Sequence, residues 1–441
     1  MRQILWFRRD LRITDSAILA HARDEVLPIF IFDPHILSQL EPTDRRVGFI
    51  YRQVLRLKSE LQSVGLDLAI FYDTPERVFA QLQTQGFDEI LCSVDYDDYA
   101  KKRDKQIEQI MPMRRFTDSY MVDPATHLTQ SHTPYKVFTP FYKSLFFLWE
   151  SNQLETYPTP RHLRLIPFDD ATIPSLESLG FTEQPLPDFL SLTPDELIDE
   201  FIPKLKKYHH DRDFINIDGT SKLATFLRFG LISPREVFNR IRPYTESKPF
   251  IRQLFFREFY AYLLYHFPHS EFENQKPIKV EWSQNQEHFK LWCEGQTGVP
   301  IIDAAMRHFN QTGVMHNRLR MIVASYLTKN LLIDWRWGER YFAAHLLDYD
   351  ASANIASWQW AASTGSDAVP YFRVFNPYTQ SQKFDKEAEF IKSVIPELRE
   401  LPAKKIHTEN GVQSDIFVDY PEQIVGIKAS RDRAIAAFQE G

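Results

Sequence analysis

The strongest constraint on the fold is a change of hydrophobic pattern along the chain of 441 residues. Up to about residue 125, helical patterns alternate with four short apolar runs, Ile4–Phe7, Leu27–Phe32, Leu68–Phe71 and Ile90–Val94. Runs this short and apolar predict strands that are buried on both faces, as in a parallel sheet. Because helices separate the strands, residues 1–125 are predicted to form a doubly wound α/β domain.

Beyond residue 200 the apolar side chains repeat at helical spacing. The clearest example is Phe250–Phe267, where they recur every three or four positions until Pro268 ends the helix. Similar patterns cover Asn317–Leu332 and Gly338–Leu347. An all-helical domain over residues 201–441 is therefore predicted.

The segment between these domains, residues 126–200, is rich in proline, threonine and serine. Proline interrupts any long helix or strand there. The exception is TPYKVFTPFYKSLFFLWE (133–150), which predicts a helix after a turn. We interpret the rest as a long interdomain connection on the surface, because its aromatic side chains need cover.

Composition excludes several classes of protein. Only 2 cysteines are present, which excludes a disulfide framework and fits a reducing compartment. No apolar run is long enough to span a bilayer, and the first residues, MRQILWFRRDLR, are charged where a signal peptide is apolar. A cytoplasmic protein without a metal site or membrane contact is therefore predicted. A monomer is also predicted, because the sequence has no extended apolar helix face that would need to be buried against a second chain.

The net charge of -7 is unevenly distributed. The acidic excess lies in the first 205 residues, whereas the later part is slightly basic. Its densest basic stretch contains Arg235, Arg240, Arg242, Lys248, Arg252 and Arg257. The later part is therefore the candidate for contact with a polyanion, although solvated helix faces would carry the same residues.

The segment Asp348–Pro377 concentrates polar and aromatic residues among small ones. Trp358 and Trp360 are two positions apart and cannot both face one core from a helix. Asp348 and Asp350 lie so close to apolar residues that each is expected to have a partner or a ligand. A buried, aromatic-rich helix end with a capping aspartate is the alternative interpretation.

The segment 348–377 resembles the flavin-binding signature of the photolyase/cryptochrome family. Three upstream pieces resemble other motifs of that family in the same order, namely GTSKLATFLRFGLISPREV (219–237), MHNRLRMIVASYL (315–327) and LLIDWRWGERYF (331–342). The resemblance covers nearly the whole chain and is strongest to the bacterial class I cyclobutane pyrimidine dimer enzymes of the family. It implies an N-terminal antenna domain and a helical domain that binds FAD, which works in its reduced anionic form.

The resemblance also implies a set of FAD-binding residues. GTSKL (219–223) begins a helix whose hydroxyl and N–H groups suit an anion. It matches the family motif that binds the FAD pyrophosphate. A plain helix cap is the alternative interpretation. Ala224 stands where the family usually has serine. Arg320 and Asp348 match an ion pair beside the flavin ring, which offers donor and acceptor together. The full predicted set is Tyr208, Arg212, Thr220, Ser221, Lys222, Leu223, Arg257, Asn317, Arg320, Asp348, Asp350 and Asn354.

Three tryptophans match the family's chain that passes electrons from the surface to light-excited flavin, although three core aromatics are the alternative. Asn354 matches the residue that faces flavin N5, where plant-type photoreceptors carry aspartate. A neutral amide there favours repair. Gln253 matches the residue that contacts the thymine carbonyl. The predicted catalytic residues are Trp282, Trp335, Trp358, Asn354 and Gln253.

The implied substrate is DNA that contains pyrimidine dimers. Such a lesion is poorly stacked, so it costs less to rotate out of the duplex than a sound base. The predicted contacts are Gln253, Phe256, Asn317, Arg318, Met321, Trp360, Arg373 and Lys383. Related (6-4) enzymes carry histidine at the positions of Asn317 and Met321, which counts against that substrate. Gln253 and Phe256 replace the usual glutamate and tryptophan, so weaker binding or a lower repair yield is expected.

The resemblance thus implies a light-driven enzyme that repairs cyclobutane pyrimidine dimers by electron transfer from reduced FAD. A cryptochrome-like blue-light sensor without repair and a single-strand-specific relative of the enzyme are the alternatives. An antenna chromophore would lie near WFRRDLRITDSAIL (6–19) and DYDDYAKKRD (95–104). No G-x-G-x-x-G follows the first strand, and a folate, a deazaflavin, a second flavin or none are all open.

Overall fold

The computed structural model describes residues 1–150, 154–159, 162–168 and 173–440. Parts of the predicted connection, 151–153, 160–161 and 169–172, lie outside the described residues, as does Gly441. The chain divides into two compact units, which we call the sheet unit and the helical unit. The sheet unit comprises Met1–Tyr135, Thr139–Ile202 and Ser221–Pro268, and the helical unit comprises Lys136–Phe138, Pro203–Thr220 and His269–Gly441.

The sheet unit is built on a parallel sheet, as predicted. Its strands are β1 (Arg2–Phe7), β2 (Glu25–Phe32), β3 (Ala69–Tyr72), β4 (Glu89–Ser93), β5 (Met113–Phe116) and β6 (Arg164–Leu165). The order is β3-β2-β1-β4-β5, and β6 pairs with the start of β2. Ile4 of β1 lies opposite Leu27 of β2 and Ile90 of β4, and all three side chains are buried. The central strands therefore have the apolar runs of strands covered on both faces.

Two strands were missed by the sequence pattern. β5 reads MRRF and is only half-buried, and β6 has only two residues. Neither has the apolar run that identifies a buried strand, because β5 is an edge strand and β6 extends only one end of the sheet.

Helices surround the strands of the sheet unit and form most of the helical unit. In chain order they are α1 (Ala17–His21), α2 (Pro34–Leu37), α3 (Arg45–Ser63), α4 (Pro75–Thr84), α5 (Asp98–Ile107), α6 (Phe138–Glu150), α7 (Pro194–Phe201), α8 (Leu205–Asp211), α9 (Ala224–Arg228), α10 (Pro234–Ile241), α11 (Lys248–His266), α12 (Gln286–Glu294), α13 (Pro300–Thr312), α14 (Asn317–Ser325), α15 (Trp335–His345), α16 (Ala351–Ala362), α17 (Pro377–Phe384), α18 (Glu389–Val394), α19 (Ala403–Ile406) and α20 (Ile427–Glu440). Short 3₁₀ segments lie at Asp188–Ser191, Ile202–Lys204, Thr245–Ser247, Pro268–Glu271 and Pro396–Leu398.

Helices α9 to α11 belong to the sheet unit, and buried ion pairs attach α10 to it. Arg235 of α10 donates to Asp15 at 3.0 Å and to Asp118 at 2.5 Å. Arg12 donates to the same Asp118 at 2.7 Å. All four side chains are buried. Residues 221–268 are thus grouped with the sheet, while the predicted domain boundaries at 125 and 200 stay a prediction.

The helical unit has a single large core formed mainly by α12 to α16, with fully buried Trp292, Met306, Phe309 and Trp335. The predicted helix Asn317–Leu332 is α14 followed by one π-helical turn at Tyr326–Asn330. Among the described residues of this unit, the only strand-like pairing is one bridge between Ser283 and Ile333. The predicted fold class, a doubly wound sheet domain followed by helices, is confirmed. No described helix is both long and apolar enough to cross a bilayer.

Candidate functional site

Helix α16 is the element around which the predicted site is arranged. Asp350 caps its N-terminus, where Oδ1 accepts the Ala353 N–H at 3.3 Å and the Ser352 hydroxyl. Trp358 is 2% exposed and belongs to the core, whereas Trp360 is half-buried and packs against it. The two tryptophans therefore face different surroundings, as their spacing predicts, and Asp350 has the partners that its burial requires.

Arg320 and Asp348 form the predicted ion pair. Arg320 Nη2 donates to both carboxylate oxygens, at 3.0 and 2.9 Å, and Nε donates to the Met315 carbonyl at 2.8 Å. The Arg320 side chain is 30% exposed and the Asp348 side chain 15% exposed. The pair is thus held rigidly at an accessible surface, where a polar ring edge can meet a donor and an acceptor together.

Asn354 is buried and bound to a residue that the sequence did not indicate. Its Nδ2 donates to Glu339 of α15, to the backbone oxygen at 3.1 Å and to Oε1 at 3.0 Å. Burial raises the pKa of Glu339 to about 6, although the hydrogen bond from Asn354 partly offsets that effect. The two bonds fix the amide, so the Asn354 oxygen remains available to a ligand.

The three predicted electron-transfer tryptophans all belong to the core of the helical unit or pack against it. Trp358 and Trp335 are 2% and 0% exposed, and Trp282 is half-buried. Gly338 of α15 lies against Trp358, where an added Cβ would come within 2.2 Å of the indole. Trp282 is therefore the most accessible of the three, and Trp358 and Trp335 are closed off from solvent.

Two other aromatic rings lie beside Trp358. Trp292 is fully buried, its ring centroid lies 6.1 Å from that of Trp358, and its indole N–H donates to the Val323 carbonyl at 3.2 Å. Phe342 lies 5.1 Å from Trp358 in an edge-to-face arrangement. These contacts hold the Trp358 ring in one orientation.

On the helical unit, Tyr208 and Arg212 lie together at the end of α8. The Arg212 guanidinium lies 5.7 Å from the Tyr208 ring centroid. Gly219 follows nearby, and a Cβ there would lie 2.9 Å from Asp211. Thr220, the last residue of this unit before α9, is half-buried.

One buried nitrogen near this end of α8, Arg212 Nε, has no hydrogen-bond partner among the described residues. Burial lowers the pKa of His316 to about 4, and its Nδ1 accepts the Arg318 N–H at 3.1 Å, so the ring proton is on Nε2. An arginine nitrogen without a partner, together with the Arg320–Asp348 pair, fits an anionic cofactor with a polar ring such as FAD.

The remaining predicted cofactor residues lie in the sheet unit. Ser221, Lys222 and Leu223 precede the short helix α9, and Lys222 has a left-handed backbone with φ 57°. Arg257 of α11 donates to the Ser119 carbonyl at 2.6 Å and to the Leu227 carbonyl at 3.2 Å. Its guanidinium is therefore engaged by the backbone of its own unit.

Gln253 and Phe256, the two residues that depart from the family pattern, are also on α11 and are half-buried. The Gln253 amide lies 3.5 Å from the carbonyl of Pro249, one turn earlier. Arg252 lies over the Phe256 ring at 5.8 Å. Both side chains are thus partly accessible on one helix.

The predicted DNA contacts of the helical unit are mostly accessible. Asn317, Arg373 and Lys383 are exposed, and Met321 and Trp360 are half-buried. Arg318 differs because its charge is already paired: it donates to Asp213 at 2.8 Å, and its guanidinium lies 4.2 Å from the Phe384 ring centroid. The exposed cations have the accessibility that phosphate contacts need.

The two pieces predicted to lie near an antenna chromophore meet at the carboxyl ends of β1 and β4. Arg8 donates to Asp104 at 2.7 Å and Arg9 to Asp95 at 2.8 Å. Although burial opposes it, the charge of Arg9 lowers the pKa of Asp95 to about 2. Strand order reverses between these strands, which is where doubly wound sheets bind ligands.

The sequence did not indicate several residues that bond to or pack against the predicted site residues and helix α16. These are Asp213, Asn274, Lys329, Gly338 and Glu339. A glycine inside the helical pattern of α15 was the one available signal, because it indicates a close approach. The others have no local signal, since their partners lie far away in the sequence.

Comparison with known families matches two parts of the chain. Residues 3–160 match the family described as DNA photolyase, and residues 250–440 match the family described as FAD binding domain of DNA photolyase. Together these segments include the predicted antenna pieces and every predicted electron-transfer tryptophan.

Curated relatives match over nearly their full length. The deoxyribodipyrimidine photo-lyase of Salmonella typhimurium is 37% identical, over 99% of this chain and 98% of the relative. The deoxyribodipyrimidine photo-lyase of Escherichia coli is 35% identical with the same coverage.

Solved structures give the same grouping. A bacterial class III photolyase from Agrobacterium tumefaciens superposes with a TM-score of 0.86 at 32% identity, over 100% of this chain and 97% of the other. An archaeal photolyase from Sulfolobus tokodaii, with two FAD molecules, has a TM-score of 0.85 at 31% identity, over 100% of both chains. A Synechocystis cryptochrome, at 24% identity, shares the fold with a TM-score of 0.88 over 99% of both chains.

Proposed function

Since this chain belongs to the DNA photolyase family, we propose that it is a deoxyribodipyrimidine photo-lyase. It would split the cyclobutane ring of pyrimidine dimers in DNA, using light and reduced FAD, with no net redox change. When bound, FAD absorbs light and supplies the electron that opens the ring. The protein holds cofactor and lesion together and restores the reduced state of the cofactor through its tryptophans.

One observation carries the proposal more than any other. Asn354 and Trp358 lie one turn apart on α16, and they pack against the consecutive residues Glu339 and Gly338 of α15. The first residue of α15 is Trp335. A single helix pair therefore holds the amide proposed to face the flavin and the first two tryptophans of the proposed chain.

We assign the cofactor-binding roles within the helical unit as follows. Arg320 and Asp348 would bind the polar edge of the flavin ring, and Asn354 would orient its oxygen toward N5. Tyr208, Arg212 and Thr220 would bind the pyrophosphate side. Asp350 keeps α16 in place by capping it and offers a second carboxylate near the ring edge. In the sheet unit, Ser221, Lys222, Leu223 and Arg257 remain predicted contacts.

The substrate contacts follow from accessibility and chemistry. Trp360 and Met321 would contact the bases of the dimer, and Asn317 their polar edge. Arg373 and Lys383, both exposed, would bind backbone phosphates, with Arg318 and its partner Asp213 at the border. In the sheet unit, Gln253 and Phe256 remain predicted contacts of the substrate.

Recovery of thymine absorbance tests the proposal. Photoreduced protein is mixed with oligonucleotide that carries one thymine dimer, and absorbance is followed in blue light and in darkness. We expect recovery in light only, and a higher yield in Gln253→Glu, which restores the carboxylate usual in the family. A protein that binds FAD and photoreduces but repairs neither double- nor single-stranded substrate would be a light sensor instead.

We also infer that the protein acts as a cytoplasmic monomer on DNA. Both cysteines, Cys92 and Cys293, are free and buried, which suits a reducing compartment. Light scattering after size-exclusion chromatography should give the mass of one chain, 52.0 kDa plus FAD. A mass of two chains at micromolar concentration would contradict the monomer.

A further inference from the structure

The middle tryptophan of the proposed chain has an unusual partner. Trp335 is fully buried, and its indole N–H donates to Asn274 Oδ1 at 2.8 Å. Asn274 Nδ2 donates in turn to the Ile278 carbonyl at 2.9 Å. This second bond fixes the amide so that its oxygen, and not its nitrogen, faces the indole.

The segment that carries Asn274 is attached to the helix of the first tryptophan. Gln359, next to Trp358 on α16, donates to the carbonyls of Ser270 and Glu273 at 2.7 and 3.1 Å. Its Oε1 accepts the Gln275 N–H at 2.9 Å. One glutamine side chain therefore holds residues 270–275 by three hydrogen bonds.

The same segment is also attached to the helix of the second tryptophan. Arg336, next to Trp335 on α15, donates to the Phe272 carbonyl at 2.7 Å. Its guanidinium lies 5.0 Å from the Trp335 ring centroid and is paired with Asp334 at 2.8 Å. The positive charge near the ring is thus largely balanced, and the bond to Asn274 is the main polar contact of the indole.

We propose that Asn274 is a positioning residue that keeps oxidised Trp335 in its radical-cation form. The inference rests on the proposed function. Trp335 gives an electron to oxidised Trp358 and then receives one from Trp282. A hydrogen bond to a charged donor is stronger than one to a neutral donor, so Asn274 makes Trp335 easier to oxidise.

An amide oxygen is also too weak a base to remove the indole proton. Because Trp335 keeps that proton, it stays oxidising enough to take an electron from Trp282. The half-buried Trp282 then loses its own proton to solvent or is reduced by an external thiol. Asn274 thereby directs the charge outward.

Two isosteric variants test the proposal. Asn274→Leu removes the acceptor, and we expect Trp282 to be oxidised about tenfold more slowly in transient absorption, the effect of one charge-assisted hydrogen bond. Asn274→Asp supplies a base. There the indole N–H bond breaks and a carboxyl O–H bond forms, so a neutral radical should remain on Trp335 and Trp282 oxidation should be lost.

A measurement in the dark checks the bond without light chemistry. The indole band that reports N–H hydrogen bonding in ultraviolet resonance Raman spectra should shift for one of the 8 tryptophans in Asn274→Leu and stay bonded in Asn274→Asp. The control is Asn239→Leu, which removes a side chain that bonds to Leu154 in the sheet unit and should change neither readout.

Trp335→Phe distinguishes a failure of the proposed tryptophan chain from a failure of the proposed role of Asn274. If it leaves photoreduction intact, the proposed tryptophan chain is wrong. If it abolishes photoreduction while both Asn274 variants form the Trp282 radical at the normal rate, or if the Raman band is unchanged in Asn274→Leu, the role of Asn274 is wrong. FAD content and circular dichroism confirm that each variant is folded.

Discussion

At the scale of single residues, close packing sets the position of the first tryptophan. A Cβ at Gly338 would lie 2.2 Å from Trp358 Cη2 and 2.6 Å from Leu327 Cδ2. Neither atom can move easily, because both belong to the buried core. Only glycine allows α15 and α16 to approach this closely.

We therefore expect Gly338→Ala to destabilise the protein by about 1–3 kcal/mol, the usual cost of overpacking, and to slow photoreduction by displacing Trp358. The matched control is Gly48→Ala in α3, where the added Cβ meets only Glu183 at 3.4 Å or more. That change should be neutral or stabilise by about 0.5–1 kcal/mol through helix propensity. The melting temperature of each variant is compared with that of the parent protein. Equal shifts for the two variants would contradict the close packing of Gly338 against Trp358.

Glu339 gives the site a pH dependence of known sign. Its folded-state pKa is raised from 4.5 to about 6 by burial, so the folded protein binds more protons than the unfolded chain between these values. The carboxyl group therefore lowers stability as pH rises from 4.5 to 6, by about 2 kcal/mol in total.

Glu339→Gln removes this titration but keeps an oxygen for Asn354. We expect the variant to be more stable than the parent at pH 8 and to lose that advantage at pH 4.5. Thermal unfolding of both proteins at the two pH values measures the difference. An advantage that does not depend on pH would mean that Glu339 is not titrating in this range.

At the scale of elements, α16 is stabilised at both ends by polar side chains. Asp350 accepts the Ala353 N–H at its start. At its end, the buried Lys329 amino group donates to the Ala362 carbonyl at 3.2 Å and to the Ser363 hydroxyl at 2.9 Å. An acceptor at the N-terminus and a donor at the C-terminus satisfy the free backbone groups and match the helix dipole.

Two substitutions of Asp350 separate capping from charge. Asp350→Ala should lower stability by about 1 kcal/mol and reduce FAD content, because both the cap and the carboxylate are lost. Asp350→Asn keeps a good cap, so it should retain stability while binding less FAD. Melting of the apoprotein and flavin absorbance are the two readouts. If Asn and Ala destabilise equally, the cap contributes nothing.

At the scale of the whole molecule, a buried ion network attaches α10 to the sheet within the sheet unit. Asp118 is 0% exposed and accepts from both Arg12 and Arg235. Its removal would leave two buried guanidinium groups short of a counter-charge, which is far more costly than losing an exposed pair.

Asp118→Ala is therefore expected to destabilise the sheet unit by about 3–5 kcal/mol. Arg240→Ala serves as control, because its partners Asp195 and Asp199 are 70% exposed, and it should cost at most about 1 kcal/mol. Urea unfolding with limited proteolysis of the sheet unit would compare them. A loss for Asp118→Ala as small as that of the control would contradict the network.

The sequence by itself determined the features that depend on local pattern or on motifs. Four strands and the helix Lys248–His266 follow from periodicity and flanking proline, and a capping aspartate was the alternative interpretation of the segment 348–377. The Arg320–Asp348 pair came from family resemblance, and its geometry agrees with that prediction.

Only the tertiary structure decided which distant residues meet. It grouped residues 221–268 with the sheet through Arg235, placed Glu339 against Asn354 and Asn274 against Trp335, and set Gly338 against Trp358. The physical reason is that periodicity reports which face of an element is buried, but not which side chain lies opposite. Polar contacts and close approaches between elements depend on packing in three dimensions.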